Sequence, residues 1–310
     1  MTMKRPKKRN GKKIQFPWQK PKSKLEDPNA AKLIKEIMKN PNYQLLEENI
    51  SFIGSNEARG IRLQLDYLRA EVKLREEHID HTIVVFGSAR IVEYNSALKN
   101  LKNLEKELEK SPRSEELLSK LHIAERMVEK STYYDEAREF GRLVGLGGKG
   151  PEDCRIALMT GGGPGIMEAA NRGAFDVGAK SIGLNIELPH EQFPNPYVTP
   201  DLCFQFHYFA IRKLHFMQRA KALVVFPGGF GTLDELSDIL TLIQTQKSMP
   251  IPVILVSSSY WKKVIDFNFL VDEGVIAPED LNIFIYVENA EDAWQEIRQW
   301  YENNSIFELL

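Results

Sequence analysis

The chain has 310 residues, 43% hydrophobic and 27% charged, with a formal net charge of −2. That length holds one large α/β domain with appendages, or two small domains. No stretch approaches the roughly 20 uninterrupted apolar residues of a membrane span, so no membrane association is expected. The two cysteines, Cys154 and Cys203, form neither a CxxC pair nor a metal-type spacing, so two ordinary thiols in a reducing cytoplasm are expected.

In chain order, residues 1–24 carry ten Lys or Arg and no acid, which leaves 31 basic against 43 acidic residues in the rest. The N-terminal stretch has no apolar core of a secretory signal. With Pro6, Pro17 and Pro21 and few aliphatic residues, residues 1–26 read as a basic disordered arm. Docking on an acidic surface is the alternative, and the acidic body argues against nucleic acid as a partner. From Asp27 to Asn40 the pattern is a short helix capped by Asp27 and stopped at Asn40-Pro41. A second helix is expected over about 57–77, where Ile61, Leu65, Leu68 and Val72 share one face. Residues 27–80 thus read as an N-terminal helical extension, an adaptor packed onto something larger.

Residues 81–310 read as a Rossmann-like catalytic domain. Ile83–Phe86 is a strand buried on both faces. Residues 91–147 form a helical hairpin insertion. Leu98, Leu101, Leu104 and Leu108 line its first helix, Ser111–Ser114 breaks it, and a longer helix runs to about Leu146. Its expected role is scaffold or oligomer contact. Apolar runs then recur at Ile156–Met159, Ile182–Ile186, Ala222–Phe226, Pro252–Val256 and Ile283–Val287, separated mostly by helices. Such alternation makes a doubly wound parallel sheet with helices on both faces. A further helix, from about 205 to 219, precedes the strand at Ala222–Phe226.

Ligands of such sheets bind outside the carboxyl ends of the strands. Three glycine clusters stand there: Gly87-Ser88-Ala89-Arg90, the stretch TGGGPGIMEAAN from Thr160 to Asn171, and PGGFGTLDE from Pro227 to Glu235. Glycines at a strand-to-helix turn let backbone approach a ligand, and the following helix offers unpaired N–H groups and a positive dipole end. Two or more such loops point to a phosphorylated ligand. Candidate phosphate-binding residues are Gly87, Ser88, Gly161, Gly162, Gly163, Gly165, Gly228, Gly229, Gly231 and Thr232, with Lys213 beside them. No GxxxxGK[ST] is present, and GxGxxG fits poorly because Ile166 or Glu168 falls at the third glycine. Glu187 could still hold a ribose hydroxyl. His190, His207 and His215 read as surface or packing histidines.

Thr232 to Glu235 spells a capping box, T-x-x-E, which alone would account for both residues. The functional alternative places Thr232 on phosphate and Glu235 toward the sugar. Arg212, with Tyr208 and Phe216 at i−4 and i+4, reads as a partly enclosed arginine that needs an anionic partner, either phosphate or Glu235.

Taken together, GSAR, GGGPGIMEAANRGA, the Arg212-Lys213 pair and PGGFGTLDE resemble the LONELY GUY family, cytokinin riboside 5′-monophosphate phosphoribohydrolases long labelled lysine decarboxylases. The resemblance covers about residues 82–290, and the helical additions resemble longer bacterial members. It implies a Rossmann-like fold and a homodimer or larger homo-oligomer. It implies hydrolysis of the N-glycosidic bond of a nucleoside 5′-monophosphate, with no cofactor and no metal. The family's catalytic arginine and glutamate map onto Arg212 and Glu235, and its phosphate loops onto Gly161–Gly165 and Gly228–Thr232. Decarboxylase chemistry would need a lysine Schiff base to pyridoxal phosphate, and no residue pattern marks one. A second reading is a non-catalytic carrier of a nucleotide or a nucleotide-like cofactor such as molybdenum cofactor, whose carriers resemble this fold.

Overall fold

The computed structural model describes residues 21–147, 156–189 and 193–304. Most of the basic arm, Cys154 and His190 lie outside the described residues. The chain divides into two compact units, residues 1–62 and 63–310. The first holds α1 (Ala30–Lys39), α2 (Ile50–Ile53) and the opening of α3 (Arg59–Glu76). Asp27, the expected cap of α1, accepts instead from the Asn29 N–H at 2.9 Å, and Asn29 is the residue at which the helix opens. The α3 stripe of Ile61, Leu65, Leu68 and Val72, read as a packing face, is 37–54% exposed. Ala70 and Leu74 are the α3 residues that join the core.

The second unit continues with β1 (His81–Phe86), α4 (Tyr94–Lys110), α5 (Glu115–Lys130), α6 (Thr132–Leu146), β2 (Ile156–Thr160), α7 (Ile166–Asp176), β3 (Ser181–Ile186) and β4 (Cys203–Phe206). Then come α8 (Phe209–Gln218), β5 (Ala220–Val225), α9 (Phe230–Gln244), β6 (Val253–Val256), α10 (Ser258–Val264), α11 (Phe267–Asp272), β7 (Phe284–Val287) and α12 (Ala290–Asn303). All neighbouring strands pair in parallel, in the order β4-β3-β2-β1-β5-β6-β7. The order reverses between β1 and β5, which makes this an α/β, Rossmann-like doubly wound sheet with its switch point there.

Parallel strands are covered on both faces, so their sequences are apolar throughout rather than alternating. On one face Val84, Met159, Leu223 and Val225 pack with Phe216 of α8, Leu236, Ile239 and Ile243 of α9, and Trp261 of α10. On the other, Ile83, Val85, Leu158 and Val224 pack with Tyr134, Ala137 and Phe140 of α6, Ala169 and Ala170 of α7, and Ala293 and Ile297 of α12. Gly141 of α6 and Gly173 of α7 lie against the partner helix's backbone, where any β-carbon would collide.

Two expectations are corrected. The long helix expected to run unbroken to Leu146 is two helices, α5 and α6. The break is Ser131, whose buried hydroxyl donates to the Val128 carbonyl at 2.7 Å and turns the chain. The helix expected from about 205 starts at Phe209. Residues 203–206 are instead the edge strand β4, paired with β3 from Gly183↔Cys203 to Ile186↔Phe206. Pairing with β3 and burial of Phe204 and Phe206 override a helical propensity that extends only from Phe209 onward.

Candidate active site

The first and third glycine loops leave β1 and β5, the two strands flanking the switch point, so topology alone brings them together. They are also bonded to one another. The Ser88 N–H donates to the Pro227 carbonyl at 3.0 Å, and the Phe226 N–H to the Phe86 carbonyl at 2.9 Å. Ser88 Oγ accepts from the Arg90 N–H at 3.1 Å, which closes the first loop on itself.

The second loop, after β2, supports the first from beneath. Gly165 has φ +73 and lies against the backbone of Ser88 and Ala89, where a β-carbon would collide. The Ile166 N–H, first in α7, donates to the Ser88 carbonyl at 3.1 Å. A buried network holds the rest of the loop. Thr160 Oγ1 donates to Asn171 Oδ1 at 2.7 Å and accepts from the Gly162 N–H at 2.9 Å. Asn171 Nδ2 reaches Ser181 Oγ at 3.0 Å. Asn195 Nδ2 donates to both Asn171 Oδ1 and the Gly163 carbonyl at 3.0 Å. These bonds give the TGGGPG glycines and Asn171 a structural explanation in the fold itself.

The third loop answers the question of the capping box. Helix α9 opens at Phe230 with Gly229 at the N-cap, and no side chain caps it. Thr232 is the third helical residue and Glu235 the sixth. The T-x-x-E spelling therefore does not act as a capping box. The first bond of the helix runs from the Leu233 N–H to the Gly229 carbonyl at 3.0 Å. The amides of Phe230, Gly231 and Thr232 precede the ladder and have no carbonyl behind them, as at any helix start. The Thr232 side chain lies over Gly228, where no β-carbon would fit. Tyr260 of α10 fastens the loop from behind, its hydroxyl donating to the Gly228 carbonyl at 2.6 Å.

Arg212 of α8 and Glu235 of α9 meet beside this loop. Arg212 Nη2 donates to Glu235 Oε1 at 3.3 Å, and the two side chains are 14% and 6% exposed. The rings of Phe209 and Phe216 flank the guanidinium at 5.2 and 5.4 Å. Phe209 thus takes the place expected for Tyr208, whose carbonyl bonds the Arg212 backbone N–H at 3.2 Å. Arg212 Nε is buried and has no hydrogen-bond partner among the described residues. Burial pushes the Glu235 carboxyl above its ordinary value, and the charges of Lys213 and Arg212 pull it partly back. Burial lowers the Arg212 value against the pull of Glu235, yet an arginine stays protonated in proteins.

Lys213 turns the other way. Its ammonium sits 2.5 Å from Asp238, 2.9 Å from Asp234 and 4.0 Å from Glu235. It is not among the residues lining the cleft, and neither are Gly162, Gly163 and Gly165. The cleft itself is about 710 Å³, within the roughly 300–1,000 Å³ of small-molecule sites. Gly87, Ser88, Gly161, Arg212, Gly228, Gly229, Gly231, Thr232 and Glu235 line it. So do residues that the sequence reading did not select: Arg90, Met127 and Lys130 on one side, Leu188, Phe209 and Phe230 on another, and Tyr260. Arg90 stands inside the GSAR stretch, Gly87-Ser88-Ala89-Arg90. Lys130, distant in sequence from every glycine loop, carried no local signal.

The remaining candidates lie apart. Glu187 pairs with His207 at 2.6 Å, with both side chains well exposed. His215 is buried, with Nε2 3.1 Å from the Tyr67 carbonyl and its ring stacked on Tyr67. Cys203 is a half-buried thiol. Among the described residues no group of three His, Cys, Asp or Glu is placed to hold a metal ion, and no helix is long and apolar enough to cross a membrane.

A family model described as "Possible lysine decarboxylase" matches residues 167–297. The probable cytokinin riboside 5′-monophosphate phosphoribohydrolase LOGL3 of Oryza sativa subsp. japonica is 25% identical over 184 residues, 55% of this chain and 78% of that protein. The cytokinin riboside 5′-monophosphate phosphoribohydrolase LOG of the same plant is 28% identical over 176 residues, 55% of this chain and 68% of that protein. Among solved structures, the molybdenum cofactor binding protein of the phototrophic bacterium Rippkaea orientalis is 22% identical, covering 54% of this chain and 87% of that one, with a TM-score of 0.38.

Proposed function

From its similarity to the LONELY GUY family, we propose that the protein hydrolyses the N-glycosidic bond of a nucleoside 5′-monophosphate, releasing free base and ribose 5-phosphate. The observation that carries this reading is the buried Arg212–Glu235 pair in the cleft at the switch point, beside the open N-terminus of α9. In the reaction the bond between C1′ and the base nitrogen breaks, water oxygen joins C1′, and a water proton ends on the base. The transition state resembles an oxocarbenium ion.

Glu235 supplies the negative charge facing that cation. Its burial matters, because a charge removed from water acts through a low dielectric and needs no reorganisation as the reaction proceeds. Arg212 holds the carboxylate in place. The Phe230, Gly231 and Thr232 amides, at the positive end of α9, receive the 5′-phosphate. Phosphate binding away from the reacting bond then supplies energy that is used at C1′.

The test is direct. AMP, GMP, CMP, UMP and a cytokinin riboside monophosphate are incubated separately with the protein, alongside the matching nucleosides, and released base is followed by chromatography. Release from at least one monophosphate and none from its nucleoside is expected. Binding of monophosphates with no release of base from any of them would assign a carrier role instead.

A further inference from the structure

Helix α5 belongs to the insertion expected to serve as scaffold, yet it contributes Met127 and Lys130 to the cleft wall. Lys130 is its last residue, where exposed carbonyls of the final turn favour a cation. Its position is set by the break at Ser131. Beyond that break Tyr133 donates to Ser257 Oγ at 2.7 Å, which ties the corner to the end of β6. Arg90 enters the same cleft from the first loop, whose backbone is held by Pro227 on one side and Ile166 on the other.

The charges of the site are unevenly spent. Arg212 is matched by Glu235, and Lys213 by Asp234 and Asp238. Arg90 and Lys130 form no ion pair with any described acid, although both line the cleft and the basic groups around them are neutralised. A phosphate monoester carries about −1.5 to −2 charges at neutral pH, whereas a helix N-terminus offers only about +0.5. The amides of α9 alone leave most of that charge uncompensated.

We infer that Arg90 and Lys130 are the cationic half of the phosphate site. They would close over a 5′-phosphate seated on the α9 amides, so that the insertion completes the binding site. This rests on the proposed reading of the cleft as a nucleotide site. It also assigns Lys213 a different task, neutralising the acids of α9.

The test is calorimetric titration of the full chain with AMP, ribose 5-phosphate and adenosine. Arg90→Gln and Lys130→Gln are each expected to weaken AMP and ribose 5-phosphate by about 10-fold or more, as loss of a charged hydrogen bond should. The double variant should lose more, adenosine affinity should not move, and Lys130→Arg should restore most of the binding. Parental affinity of the double variant for ribose 5-phosphate would overturn the inference. So would equal weakening of adenosine, which would mean general damage to the cleft. Two further outcomes separate this inference from the hydrolase reading. Phosphate binding that depends on both cations without any release of base supports the inference and removes the hydrolase. Hydrolysis by the double variant at the parental KM keeps the hydrolase and removes the inference.

Discussion

Glu235 accepts a hydrogen bond from Arg212 at 3.3 Å from the second turn of α9, three residues beyond the last position at which a capping side chain works. A carboxylate buried there contributes nothing to starting the helix. Its burial carries a desolvation cost that only partnership with cations offsets.

Glu235→Gln should therefore separate function from folding. The amide keeps the shape and can still accept from Arg212, so the melting temperature should hold or rise slightly. Without the negative charge, base release should fall by at least ~100-fold while AMP still binds. Chromatographic rates and thermal melts on the same preparation check both halves. A parental rate would remove Glu235 from the chemistry.

The pH dependence follows from the raised Glu235 value. If the ionised form is active, the acid limb of kcat/KM should lie above the ordinary carboxylate value of about 4.3. Lys213 supplies the largest charge holding that value down, so Lys213→Met should move the limb to higher pH. Stability runs oppositely. The folded state binds the Glu235 proton more tightly than the unfolded chain does. This group's contribution is thus fully present below about pH 4.3 and lost as pH rises through the folded value. Glu235→Gln should accordingly gain on the parent in melting temperature across that window.

Asn171 gives a stability prediction remote from the reaction. Asn171→Leu would remove the acceptor of the Thr160 hydroxyl proton, the donor to Ser181 Oγ and one acceptor of Asn195 Nδ2 in a buried site. Stranded polar groups cost roughly 1–3 kcal/mol, and the loss should appear as a lower denaturant midpoint with an unchanged m-value. A midpoint equal to the parent's would mean that the network can re-form without it.

His215 should make the fold acid-sensitive. Burial lowers its value below the ordinary range, against the pull of the Tyr67 carbonyl and of Glu71 and Asp66, with Arg219 adding to the lowering. A depressed histidine contributes stability above about pH 6.5 that is lost as pH falls toward the folded value. His215→Phe should flatten the decline in melting temperature between neutral and mildly acidic pH, and an unaltered slope would show that other groups set it.

Much of the fold was legible because its signals are local. The runs at Ile83–Phe86, Ile182–Ile186 and Ala222–Phe226 are apolar at every position, which only a two-sided burial explains, and each is a strand. Strand β4 was missed because Cys203–Phe206 is short and lies just ahead of a strongly helical run. Its alternation of a half-exposed, buried, exposed and buried residue was the available signal. The α5–α6 break was missed because Ser131 is tolerated inside a helix, and only its buried bond to Val128 shows the turn.

The sequence by itself determined that glycine loops stand at strand ends, and that Arg212 wants an acid. The partner and the register were decided only in three dimensions. T-x-x-E spells a cap because capping is a local code, but the start of α9 is set by Gly228, pinned by Tyr260 from 32 residues away. Lys130 reaches the cleft because α5 ends at a corner tied to β6, and Lys213 leaves it because three acids of α9 hold its ammonium. Charge neutralisation depends on distance through space, and no spacing along the chain encodes it.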